Sequence, residues 1–306
     1  VSGVIASFAA ILLAMFGGYY LAARGITPPG TEGVLMRIVF NVVLPCMLFG
    51  TMVRANLKAV FSASGLVNIL TTLIATLLTF LIMRFILRWR GAELSIATIA
   101  VGITNAGNLG TAFLAAITHD ASQAAPIIIF QIAIITPIAF WILDGQTGRE
   151  SGGIWRSILR QLENPVLLSV LIGLAAALCH WEPPAWIMRP ADFVGAASAP
   201  LVLLGIGMSM RGARLPKFGG GLAPVCVVTF MRTVAAPLIA TGLGWAFGLH
   251  AAALLPVVVV SAFPTANNVF VYAHRYQTAI PLARDANIIT TFASLISIFV
   301  ISALFL

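Results

Sequence analysis

The sequence predicts an all-α membrane protein: ten transmembrane helices in two inverted five-helix repeats, with helices four and nine broken where they cross. Three observations carry that expectation. The 306-residue chain is 60% hydrophobic and 8% charged, with a mean hydropathy of +1.04; a soluble domain carries roughly 25% charged residues. Its apolar runs last about 20 residues, the length of a bilayer-crossing helix, and they do not alternate as barrel strands do. Two polar clusters interrupt otherwise apolar runs: Thr104-Asn105-Ala106-Gly107-Asn108 and Pro264-Thr265-Ala266-Asn267-Asn268.

The spans follow in order. The first covers 4–23. The second, 34–53, passes through Asn41 and Pro45, and the third, 63–86, is rich in Leu, Ile and Thr. The fourth, 94–118, holds the first polar cluster; the fifth, 124–143, contains Pro137. A polar cytoplasmic linker, 144–163, carries Arg149, Glu150, Arg156, Arg160 and Glu163. It separates a first repeat, 1–143, from a second, 164–306, and 154–162 suits a short interfacial helix. The sixth span is 165–179, followed by a loop with Pro183, Pro184 and Pro190. The seventh is 195–210. The eighth, 223–247, holds Arg232 and Pro237; the ninth, 251–274, holds the second cluster; the tenth is 286–306.

The halves echo each other. Pro45 precedes Gly50 as Pro200 precedes Gly205, the two polar clusters hold the same place in each half, and Ile134-Ile135-Thr136-Pro137 parallels Ile288-Ile289-Thr290-Thr291. Five spans per half force the second half to enter from the opposite side, a known transporter plan. Basic residues test this independently. Arg24, Arg84, Arg88, Arg90, Arg149, Arg156, Arg160, Arg211, Arg214, Lys217, Arg275 and Arg284 fall at odd-numbered loops, against Arg54, Lys58 and Arg189 at even ones. Odd loops are then cytoplasmic and both termini periplasmic, in a bacterial inner membrane. The same placement explains the net charge of +8 without nucleic acid as a partner. Cys46, Cys179 and Cys226 are isolated and show no metal-ligand spacing.

Each polar cluster loosens its helix, through Gly107 and Gly110 in one and Pro264 in the other. A helix broken in mid-membrane leaves N–H and C=O groups that side chains, water or a ligand must satisfy. Thr104, Asn105, Asn108, Thr265, Asn267 and Asn268 supply donors and acceptors for that purpose. Half-helix N-termini suit a carboxylate, and half-helix C-termini offer carbonyls to a cation. Simple helix–helix adhesion by Asn and Gly is the bland alternative; two clusters at matching places weigh against it. Asn41, four residues before Pro45, is either site-lining or structural. Gln131, Thr136, Asn287 and Thr290 can face a pocket from spans five and ten. Arg232, unfavourable in hydrocarbon unless paired, either attracts an anion or braces Asp285. His274 and Asp285 fall near span ends, where hydration suffices.

Three motifs, Asn41-Val42-Val43-Leu44-Pro45, Asn105-Ala106-Gly107-Asn108-Leu109-Gly110 and Pro264-Thr265-Ala266-Asn267-Asn268, resemble those of the auxin efflux carrier family. That family includes plant PIN transporters and bacterial malate or malonate permease-like proteins. The resemblance spans essentially the whole chain. It implies ten helices in inverted repeats, crossovers in spans four and nine, and a scaffold or dimer-facing group of spans one, two, six and seven. It also implies an organic anion as substrate. The chain departs from plant members in having Gly107 where they carry a proline, and in lacking their long cytoplasmic loop. The architecture is also similar to that of sodium–bile acid symporters.

The expected function is secondary transport of small mono- or dicarboxylates by an elevator movement, with a homodimer as one outcome. The alternatives are a sodium-coupled symporter of larger amphipathic anions, a channel, or an intramembrane enzyme. No nucleophile–base or metal spacing favours an enzyme, and no cofactor is implied. Coupling to Na⁺, coupling to protons and facilitated diffusion all stay open, although no Asp or Glu lies deep in a span.

Overall fold

The computed structural model describes residues 2–118, 121–147, 164–212, 221–250 and 253–305. The expected interfacial helix and most of the linker lie outside them. The described residues form helices α1 (Ser2–Ala23), α2 (Thr31–Val53), α3 (Ala63–Ile86), α4 (Gly91–Gly102), α5 (Thr111–Thr118), α6 (Ser122–Gln146), α7 (Pro165–Leu178), α8 (Ala185–Ser209), α9 (Leu222–Ala246), α10 (Leu254–Ser261), α11 (Asn267–Tyr276) and α12 (Ile280–Phe305). Among them α2, α3, α6, α8, α9 and α12 are long and apolar enough to cross a membrane. The protein is an all-α, multi-pass membrane protein.

Three long helices widen into a π segment that ends two residues before a proline: Val39–Val43 before Pro45, Gln131–Ile135 before Pro137, and Met231–Ala235 before Pro237. The cause is local. Proline has no N–H and its ring crowds the carbonyl four residues back, so the preceding turn opens instead of breaking.

Two boundaries differ from the sequence expectation. Helix α8 begins at Ala185, not 195, and Pro190 lies inside it. Pro190 denies a partner only to the carbonyl of Trp186, which is in the first turn on a residue 75% exposed. Helix α12 begins at Ile280, not 286, so Asp285 is inside it and pairs with Arg284 at 2.7 Å.

The helices pack in two ways. In the group α1, α2, α7 and α8, backbone lies against backbone at glycines. A Cβ on Gly18 would overlap the carbonyl of Leu204, and one on Gly207 that of Met15. Gly173 and Gly195 also lie close to α2, the first beside Met52 and Phe49 and the second beside the backbone of Met47. Only glycine permits such approach between membrane helices. In the second group, α4 and α10 end where the chain crosses itself, and α3, α6, α9 and α12 surround the crossing. Phe140 of α6 links the groups, with its ring 4.8 Å from that of Tyr272 in α11 and 5.7 Å from that of Phe40 in α2.

Candidate functional site

Helix α4 stops at Gly102, and the chain runs extended through Ile103 (φ −117°, ψ 116°). Helix α10 stops at Ser261, and Pro264 biases the residue before it away from helix. The two extended pieces pair antiparallel at Thr104 and Thr265. Asn105 N–H donates to Pro264 O at 2.8 Å, and Ala266 N–H to Ile103 O at 3.0 Å.

The other backbone groups freed by the breaks find side chains. Thr104 N–H donates to Gln131 Oε1 at 3.2 Å, and Gln131 Nε2 returns a bond to Thr104 Oγ1 at 3.0 Å. Thr265 N–H donates to Thr290 Oγ1 at 3.0 Å, and Asn287 Nδ2 donates to Thr265 O at 3.1 Å. Thr265 Oγ1 donates to Ala100 O at 2.7 Å. Arg232 donates through Nε to Phe263 O at 2.9 Å and through Nη1 to Val101 O at 3.2 Å. Its Nη2 reaches Phe263 O at 2.6 Å. Val101 O is available because Asn105 N–H, its helical partner four residues on, has turned to Pro264. Buried backbone groups of this kind are rarely left unmade.

Six carbonyls at the crossing, those of Ala100, Val101, Ile103, Phe263, Pro264 and Thr265, thus accept from protein donors. The crossing borders a cavity of about 290 Å³. Thr104, Asn105, Gly107, Ala266, Asn267 and Asn268 form one wall, with Gln131 and Thr136 from α6; Met47, Leu48 and Thr51 of α2 face them, and Ile103, Ile128, Ile132 and Tyr272 complete the lining. No charged side chain lines it among the described residues. Helix α11 begins at this wall, so the positive end of its dipole lies beside the cavity. Asn267 Oδ1 accepts from Asn287 Nδ2 at 3.0 Å and Asn105 Nδ2 at 3.4 Å. The Tyr272 side chain lines the cavity together with Thr136 and Asn268.

Seven sequence candidates therefore line the cavity: Thr104, Asn105, Gly107, Gln131, Thr136, Asn267 and Asn268. Four stand behind it, holding the crossing: Pro264, Thr265, Asn287 and Thr290. The backbone of Asn108 lies in a π turn, Ala106–Gly110, but its side chain lies outside the described residues. Two expectations are corrected. Asn41 is exposed on the outer side of α2, its amide bonded to Arg37 O at 2.8 Å, because the π segment turns it away from the cavity. Arg232 neither lines the cavity nor braces Asp285; it is 1% exposed and occupied by carbonyls.

The hydrogen bonds also shift the internal echo. The sequence pairs Thr136 with Thr290, whereas in the structure Gln131 does for Thr104 what Thr290 does for Thr265. Sequence reasoning missed Tyr272, although it lies one helical turn after Asn268 and so on the same face. A second hollow, of about 200 Å³, shares Met47 and Thr51 with the first and extends to Arg54 and Asp192. Those two form a bidentate pair, with Arg54 Nη1 to Asp192 Oδ1 at 2.9 Å and Nη2 to Oδ2.

A multi-pass helical protein with a cavity bearing carboxamides and hydroxyls at two interrupted helices has the form of a small-molecule carrier. The profile of the family described as "Membrane transport protein" matches residues 3–152 and 154–302. The chain belongs to this family, that of the auxin efflux carriers, and is a small-molecule secondary transporter and not an enzyme. It is similar to the "Putative malonate transporter" of Rhizobium meliloti, 26% identical over 91% of this chain and 89% of the relative. An "Uncharacterized transporter" of Methanothermobacter thermautotrophicus is 25% identical over 94% of each chain. The "Uncharacterized transporter YfdV" of Escherichia coli K12 is 22% identical over 87% of this chain and 86% of the relative.

Proposed function

We propose that the protein carries small organic anions, mono- or dicarboxylates, across the membrane by elevator-type alternating access. One observation carries this reading: the cavity is walled by the first residues of α11 and by carboxamides and hydroxyls, with no charged side chain among the described lining residues. A positive helix end and carboxamides favour an anion. Held by dipoles and amides, without a fixed counter-charge, such an anion is released readily after each crossing. The volume of about 290 Å³ suits a small carboxylate, at the lower end of the range for small-molecule sites. It disfavours the larger amphipathic anions of the alternative reading. The malonate in the name of the Rhizobium relative points to the same substrate class.

In this reading the chain has ten spans in two inverted repeats, 1–143 and 164–306, joined by the linker 144–163. The group α1, α2, α7 and α8 is the scaffold, and a homodimer forms through it. Helices α3–α6 and α9–α12 move against it with the cavity between the two. The hollow ending at Arg54 and Asp192 is the route to the periplasmic side. On the opposite side Arg284 Nη1 holds Ser209 O of α8 at 3.1 Å, tying α12 to the scaffold.

The test is uptake into proteoliposomes with a panel of mono- and dicarboxylates, with and without Na⁺ and pH gradients. Saturable uptake and counterflow of a small carboxylate are expected. Unsaturable flux without counterflow would make the protein a pore. Transport confined to neutral or cationic solutes would overturn the anion site.

A further inference from the structure

Among the described residues, Arg232 is the largest side chain that is under 2% exposed. It comes from α9, outside both crossing segments, and its three nitrogens all donate to backbone carbonyls. Those carbonyls are of one kind. Val101 O is in the last turn of α4, and Phe263 O follows the last turn of α10. Both mark C-terminal ends of interrupted helices, where unpaired carbonyls and the negative end of the dipole concentrate. In carriers with broken helices this is the kind of place that holds a coupling cation. A guanidinium is charged at neutral pH, planar and rich in donors, so it can serve two such ends at once.

We propose that the Arg232 guanidinium is a resident cation at the crossing, in the position a coupling Na⁺ would otherwise take, so that the transport cycle is independent of Na⁺. Two features support this beyond the contacts themselves. The π segment Met231–Ala235, opened by Pro237, carries Arg232 into the crossing. Four further carbonyls at the crossing, Ala100 O, Ile103 O, Pro264 O and Thr265 O, accept from protein donors. The inference rests on the carrier reading only where it concerns transport; the occupied carbonyl site stands without it.

The test separates the two. Purified wild-type protein is unfolded by heat in sodium chloride and in choline chloride of equal ionic strength. The midpoints are expected to coincide, and a rise specific to Na⁺ overturns the proposal. Arg232→Ala opens the site. Low-millimolar guanidinium chloride is then expected to raise its midpoint by roughly 3 °C over choline, the scale of one-site binding at about ten times Kd. Asn41→Ala, treated alike, is expected to show no rise. Folded Arg232→Ala that ignores guanidinium overturns the proposal. Should Arg232→Ala fail to fold, Arg232→Lys retains a cation there and is expected to respond to neither Na⁺ nor guanidinium; a response overturns it. In proteoliposomes, wild-type uptake is expected to be equal in Na⁺ and choline, and an increase of about tenfold with Na⁺ overturns it. If the carboxylate panel yields no substrate, the thermal measurements still decide the fate of the resident cation.

Discussion

The two helix groups are held together by opposite means. In α1, α2, α7 and α8 the joints inside the seam are glycines that let helices approach closely, with the Arg54–Asp192 pair at one end. At the crossing the joints are hydrogen bonds: a two-residue ribbon, two carboxamides, three hydroxyls and one guanidinium. Close apolar contact resists sliding, because there is no low-energy neighbouring register at a seam where even a methyl group cannot fit. A polar junction keeps its own internal bonds wherever it goes. The first kind of joint suits a frame and the second suits a unit that moves as one piece.

The comparison can be broken at its stiffest point. Gly207→Ala drives a Cβ into the carbonyl of Met15. It is expected to destabilise the protein by about 3 kcal/mol, the upper part of the usual overpacking range, read as loss of folded protein after extraction. An unchanged unfolding temperature would mean the seam is loose. Next in size is Gln131→Ala, which leaves Thr104 N–H buried without its acceptor. About 2 kcal/mol is expected, again by thermal unfolding, with Gln131→Glu recovering part of it because the acceptor oxygen remains. Equal loss in both variants would show that the carboxamide matters for packing alone. The smallest effect on folding, and the sharpest on function, is expected from Asn268→Ala. Asn268 is only half-buried at the cavity wall and serves no orphan backbone group there. Uptake should fall about tenfold, or about 1.4 kcal/mol, with the unfolding temperature unchanged, while Asn41→Ala should alter neither. Normal flux in Asn268→Ala would remove this residue from the site.

Much of this was legible in the sequence, for identifiable reasons. Hydropathy alone reveals a membrane protein, and the interruptions at Thr104–Asn108 and Pro264–Asn268 stand out because carboxamides and hydroxyls are conspicuous in apolar runs. The two breaks do meet, by main-chain bonds. What could not be read was direction. Asn41, Gln131 and Arg232 all lie on π segments ahead of prolines, where the usual helical phase is lost. Gln131 turns to the cavity, Arg232 to carbonyls at the crossing, and Asn41 to the outside. The role of Arg232 depends on a carbonyl 131 positions away in the chain, a distance no local pattern spans. The start of α8 was hidden by Pro190, which reads as a loop residue and is harmless because the carbonyl it leaves without a partner, that of Trp186, is in an exposed first turn.

The ribbon joining Thr104 to Thr265 is made of main-chain atoms. Replacing a side chain beside it changes what the cavity touches without unfastening the two halves. A designer wanting a different cargo could therefore vary Gly107, Asn268 or Thr51 and leave the joint intact, since these lining positions lie outside the paired segments.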